Sequence, residues 1–157
     1  MTDQLTLSEQ QLLDHAKQFV IDSNTLRHKR GGIDTLYSSL MTESGIIYDG
    51  ACFESTMSQA NVCGERHAIA NMVMGESYSG QLKHIIVADP VPKVQEKSTP
   101  PCGTCRHLIW EFATEDATVL MMQYIQQKDG WIFPKVEKHF IRDLYPHPFD
   151  PKPNLWG

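Results

Sequence analysis

Two short segments, far apart in the chain, carry the same soft-ligand chemistry, and a fold for this chain must bring them together. The first is Val62-Cys63-Gly64-Glu65-Arg66-His67-Ala68 and the second is Pro100-Pro101-Cys102-Gly103-Thr104-Cys105-Arg106. The first offers a thiol and a carboxylate two residues apart. The second offers two thiols in C-x-x-C spacing behind a proline pair. On a first helical turn that spacing puts both sulfurs on one side, close enough to share a metal. A helix N-terminus has spare backbone N–H groups and a partial positive charge. Two such ends aimed at three thiolates would stabilise the site's net negative charge. A zinc ion held by three thiolates keeps a fourth position open, where water becomes a nucleophile.

The periodicities around the two segments predict where helices and strands lie. Ser8 and Gln11 read as a capping-box pair opening a helix through Leu12, Ala16, Phe19 and Val20. Residues 24–34 are polar, basic and glycine-bearing and read as a loop. Residues 36–41 and 46–52 read as strands of a hairpin around Thr42-Glu43-Ser44-Gly45. Residues 53–62 read as a loop into a helix from Cys63, with Ala68, Ile69, Met72 and Val73 on one face and Gly75 as its stop. Residues 84–88 form a near-continuous apolar run, the mark of a strand buried on both faces. Residues 89–101 contain four prolines and read as a loop. A helix then opens at Cys102, with Leu108, Ile109 and Phe112 inward. Residues 118–123 read as a strand, and 124–132 as a continuing hairpin around Lys128-Asp129-Gly130. Val136, Phe140, Ile141 and Leu144 suggest a last helix, and the prolines of 146–157 make a non-helical tail. Strands alternating with helices argue an α/β fold, a mixed sheet with helices on both faces.

A chain of 157 residues suits a single domain, 1–157, with a polar leader at 1–7 and the proline-rich tail at 146–157. The net charge is −5, and Arg27, Lys29 and Arg30 make the only local basic run. That balance argues against a nucleic-acid partner and fits a small-molecule substrate. No apolar stretch approaches membrane-span length, and the start Met-Thr-Asp-Gln is unlike a signal peptide. The expected location is cytoplasmic, where four cysteines read as metal ligands or core residues before disulfides. Glu65, beside the ligand Cys63, is placed to take a proton from the water and pass it to a ring nitrogen and departing ammonia, as zinc deaminases do. Arg66 and Arg106 immediately follow the ligand segments and could hydrogen-bond the sulfurs.

Cys63-Gly64-Glu65-Arg66 followed by Pro101-Cys102-Gly103-Thr104-Cys105-Arg106 resembles the paired C-A-E-R and P-C-G-x-C-R motifs of the small homotetrameric cytidine deaminases, enzymes of pyrimidine salvage. The likeness runs from about Leu36 to Phe149, with the motifs in the family's order and separation. It implies a three-layer α/β/α fold around a five-stranded mixed sheet. It implies a zinc-dependent hydrolase acting on a free pyrimidine nucleoside, with Cys63, Cys102 and Cys105 as zinc ligands and Glu65 as proton shuttle. It implies that the Gly64 N–H receives the base carbonyl, that Glu54 touches the ribose, and that Phe149 stacks on the base in a neighbouring subunit of a homotetramer or homodimer. Two departures stand out: Cys52 takes the place of the family's ribose-binding Asn, and the aromatic segment before the first strand is replaced by 31–39, bringing Asp34 near the pocket.

Two alternatives follow. One is a deaminase of a different small aminated heterocycle, such as a nucleoside antibiotic of the blasticidin S kind or a modified or isomeric cytosine. The other is a non-catalytic zinc module whose fourth ligand is Cys52, His67, His107 or His15. His67 and His107 otherwise read as packing residues, and Cys52 as a buried strand cysteine.

Overall fold

The middle layer is a five-stranded sheet, and its two faces are apolar because its central strands alternate between two cores. The computed structural model describes residues 4–149. Residues 1–3 of the leader, and Pro151, Pro153 and Trp156 of the tail, lie outside the described residues. The elements run α1 (Leu7–Lys29), β1 (Tyr37–Thr42), β2 (Ile47–Ala51), a 3-10 turn (Ser58–Ala60), α2 (Gly64–Glu76), β3 (Leu82–Pro90), α3 (Gly103–Phe112), β4 (Ala113–Gln127), β5 (Gly130–Phe140) and α4 (Ile141–Leu144). The spatial order is β2-β1-β3-β4-β5. Only β3 and β4 are parallel, joined by the α3 crossover; the other pairs are antiparallel.

The apolar run in β3 serves both faces, as a doubly covered strand must. Ile85 and Val87 join Ala68, Ile69 and Met72 of α2 and Ile109 of α3. Ile86 and Ala88 join Leu12, Leu13, Ala16 and Val20 of α1 on the other side. The three-layer α/β/α architecture read from the sequence is therefore the one observed. Among the described residues no helix is long and apolar enough to cross a membrane.

The structure departs from the sequence reading most clearly at three places. The cap of α1 is Thr6 rather than Ser8: Thr6 accepts from the Glu9 N–H, and the Glu9 carboxylate accepts from the Thr6 N–H. The helix also runs on through 24–29, because Asn24 is fully buried and its Oδ1 accepts from the Tyr37 hydroxyl at 2.6 Å. Such contacts override weak local propensity. The stop comes at Gly31, whose φ of +78° suits the residue past a helix end. The largest difference is at Val136 and Phe140, read as helical but paired in β5 with Met122 and Thr118 of β4. A spacing of four mimics a helix because residues i and i+4 share a face in a strand as well as in a helix, and here they sit in a regular stretch of the β4–β5 ladder. β5 is an edge strand, which also tolerates Pro134.

A buried polar chain ties α1 to the sheet. Glu9, 1 % exposed, accepts from Lys138 Nζ at 2.9 Å and from the Thr118 hydroxyl at 2.9 Å. The Thr118 hydroxyl, having donated to Glu9, accepts from His84 Nδ1 at 2.7 Å; His84 Nε2 then accepts from the Ser8 hydroxyl at 2.9 Å. Burial would raise the Glu9 carboxyl, but the Thr6 N–H, Lys138 and Thr118 together hold it below its usual value. Burial pushes the His84 imidazole down, against the pull of Glu9. An unfolded His84 binds its proton from about pH 6.5 downward, while the folded one resists it. The unfolded state therefore holds more protons in that window, and this histidine destabilises the fold as pH falls from about 6.5 through its lowered value. We expect the difference in melting temperature between parent and His84→Gln to shrink on acidification from about pH 7 to about pH 5; a constant difference would contradict it.

Candidate active site

Cys63 caps α2 and Cys102 caps α3, both in extended backbone that hands the chain into the helix. Cys105 follows one turn into α3 and is fully buried. Their three sulfurs all lie within 4.8 Å of one another. The Cys102 sulfur accepts from the Cys105 N–H at 3.5 Å. Burial raises the Cys63 and Cys105 thiols. It works against Cys102 too, but the Cys105 N–H and the neighbouring thiols outweigh it and pull Cys102 down.

The donor set fits zinc. Sulfurs about 2.3 Å from a tetrahedral ion are about 3.8 Å apart, inside the observed envelope. Three thiols and two helix N-termini suit a soft divalent cation. Among the described residues no fourth His, Cys, Asp or Glu joins the cluster.

Close backbone packing brings α2 to this place. A side-chain carbon at Gly50 of β2 would meet the Gly64 carbonyl oxygen and the Ala68 nitrogen at 2.4 Å. One at Gly64 would sit 3.2 Å from the Ser38 nitrogen of β1. The first turn of α2 thus lies directly on β1 and β2, which the sequence reading did not find. Its one visible sign is a glycine inside a strand.

Beside the sulfurs is a cavity of about 150 Å³, walled by Leu36, Val87 and Pro100 and reached by Cys52, Gly64 and Glu65. Glu65 is 6 % exposed, and burial raises its carboxyl, opposed only by its own backbone and by Arg66. A second cleft of about 330 Å³ adjoins at Cys52 and carries Glu54 and Asp34. Glu54 therefore faces this outer cleft and not the sulfur cavity. Both Asp34 oxygens are engaged, by His28 at 2.6 Å and by the Trp131 indole at 2.9 Å. Phe149 lines neither cavity; it is 70 % exposed, with its ring 6.3 Å from that of His107 on α3.

Neither arginine donates to a sulfur. Arg66 donates to the Asn61 carbonyl at 2.6 Å, and Arg106 donates to the Pro101 carbonyl at 2.8 Å and the Leu144 carbonyl at 3.0 Å. They brace the segments that lead into the ligands. His67 pairs with the Ala51 backbone and His107 with the Tyr145 hydroxyl. Residues 91–101 are held rather than loose. Gln123, fully buried in β4, accepts from the Gln95 N–H at 2.8 Å and donates to the Gln95 carbonyl and the Ser98 hydroxyl, each at 3.0 Å. The Ser98 N–H reaches Glu137 of β5 at 3.3 Å. That frame sets the position of Pro100 in the cavity wall. The polar Gln123 within an apolar strand run was the signal available for it.

No family model matches the sequence. Among solved structures, the chain is similar to the cytidine deaminase from Burkholderia pseudomallei, at 20 % identity and TM-score 0.62 over 84 % of this chain and 98 % of that one. It is similar to the cytidine deaminase from Bacillus anthracis, at 15 % identity and TM-score 0.56 over 92 % and 90 %. It is also similar to that from Mycobacterium tuberculosis, at 16 % identity and TM-score 0.51 over 74 % and 80 %. What the likeness establishes is the fold: this chain is built on the five-stranded α/β scaffold of the cytidine deaminases, and its three-cysteine cluster could hold a metal.

Proposed function

We propose that the protein is a zinc-dependent hydrolytic deaminase of a free pyrimidine nucleoside, cytidine or deoxycytidine or a close analogue, releasing ammonia. The observation that carries this is a buried carboxylate, Glu65, sharing one small apolar cavity with the sulfur cluster. A zinc ion held by Cys63, Cys102 and Cys105 would supply an open coordination position and lower the pKa of water there towards ~7.

The other parts of the reaction fall to the chain itself. Leu36, Val87 and Pro100 exclude bulk water and hold a flat ring between apolar walls. Gly64 opens α2, so its N–H is among those without a partner in the helix and can donate to a ring carbonyl. Glu65 has its carboxyl raised by burial, which brings its proton affinity nearer to neutral pH. It can accept a proton from water and return it to the ring nitrogen and the departing amine. Arg66 and Arg106 keep the two ligand-bearing helix starts in register through the carbonyls they hold.

The three-thiol cluster, without a fourth protein ligand among the described residues, favours an open metal site over a structural one. Cys52, where the two cavities adjoin, favours a related substrate other than plain cytidine as the second reading. We further propose that the protein works in pyrimidine salvage in the cytoplasm, where its thiols stay reduced, and without a nucleic-acid partner. A homotetramer, or a homodimer, would let the exposed Phe149 ring reach a neighbouring subunit.

The test is metal analysis with an ammonia assay. The purified chain is expected to carry one zinc, to release ammonia from cytidine or an analogue, to lose that activity to a strong chelator and to regain it with zinc. Full activity in a metal-free sample would overturn the proposal.

A further inference from the structure

The outer cleft is lined by one guanidinium, Arg27, and two carboxylates, Asp34 and Glu54, and neither carboxylate pairs with the guanidinium. Thr35, Phe53 and Cys52 line it as well, and Cys52 is shared with the inner cavity. Glu54 is exposed and accepts no hydrogen bond from another described residue. Arg27 uses its Nε on the Ile33 carbonyl at 2.8 Å, which leaves its terminal amino groups for something else. Among the described residues Arg27 makes no ion pair; the nearby Asp34 is taken by His28 and Trp131.

The surroundings add to this. Lys29 and Arg30 follow in the same turn, exposed and likewise without ion-pair partners among the described residues. A chain of net charge −5 thus gathers cations without ion-pair partners among the described residues at the C-terminal end of α1, and one of them, Arg27, lines the outer cleft. The dipole of α1 accounts for cations at its C-terminal end. It does not account for a guanidinium that lines a cleft with its terminal amino groups free and the neighbouring Asp34 carboxylate already hydrogen-bonded. A planar fork of N–H donors in that setting matches an oxyanion.

We propose that the outer cleft is a subsite for an anionic substituent: the substrate is an aminated heterocycle whose sugar-sized arm ends in a phosphate or a carboxylate, the anion held by Arg27 and a hydroxyl of the arm by Glu54. This rests on the deaminase reading, which supplies the heterocycle for the inner cavity. The loss of an amide at Cys52 agrees with it, since the arm is anchored by charge farther out.

The experiment pairs binding with turnover on the full zinc-loaded chain. Calorimetry compares uridine, uridine 5′-monophosphate and uridine 5′-carboxylate, and an ammonia assay compares the matching cytidines. Folding of each variant is checked by its melting curve. One or both anionic ligands should bind about tenfold tighter or better than the neutral nucleoside; which of them does so distinguishes phosphate from carboxylate. Arg27→Gln should remove most of that advantage while changing the neutral ligand's affinity less than about twofold. Arg27→Lys, which keeps the charge, should retain part of it.

Equal affinity for neutral and anionic ligands would overturn the inference, as would no binding of any, or an Arg27→Gln loss shared equally by both. Turnover without anion preference leaves the deaminase and removes the subsite. Anion preference without ammonia release leaves the subsite and removes the deaminase.

Discussion

Glu65→Gln should keep the zinc and the melting curve of the parent and lose about a thousandfold in turnover. The change is nearly isosteric, and the side chain sits in a cavity wall, 6 % exposed, without a hydrogen-bond partner in another residue to lose. An amide cannot carry a proton between water and a ring. The expected split is in the rate at saturating substrate, with binding little changed, because the side chain acts on the reacting atoms and not on the substrate's periphery. Parallel metal analysis, melting curves and steady-state kinetics check it. A variant as fast as the parent would remove Glu65 from the mechanism, whatever the sulfurs hold.

Gly50→Ala should be strongly destabilising. The added carbon would meet backbone atoms, the Gly64 carbonyl oxygen and the Ala68 nitrogen, at 2.4 Å. Backbone cannot rotate away as a side-chain tip can. Either α2 lifts off β2 or the β1–β2 ladder bends. We expect a loss of about 3 kcal/mol, read as a fall of about 10 °C in melting temperature. Because α2 starts at Cys63, the same displacement should weaken zinc binding in the fraction that still folds. A control at Gly103, where an added side-chain carbon meets nothing within 4 Å, should cost far less. Equal melting temperatures for Gly50→Ala and the parent would show that α2 does not rest on β2 as described.

Much of this site was legible from spacing. A thiol and a carboxylate two residues apart, and two thiols three apart, are local patterns, and a helix start presents them in one way. The doubly buried strand at 84–88 was legible for a similar reason, since an apolar run bounded by a proline leaves few other choices. Less was legible where partners are distant. Val136 and Phe140 repeat at helical spacing, yet β4 claims them for a ladder. Asn24 looks like a loop residue until Tyr37 buries it. Gln123 looks like a lapse in an apolar strand until Gln95 and Ser98 arrive to use its amide. The arginines after each ligand segment were expected on sulfur, and loop carbonyls reached them instead.

What the residue order alone determined is the donor set, three thiols and one acid at the starts of two helices, because each part of it is written within a single turn of chain. What only the tertiary structure decided is how those starts face each other, how small and apolar the space beside them is, and which charges stand at its outer edge. Those properties depend on the absence of a side chain at Gly50, on a buried glutamine that holds a loop, and on an arginine without an ion-pair partner among the described residues. Each is a relation between residues distant in sequence, set by packing and by the need to satisfy buried polar groups, and neither composition nor spacing encodes it.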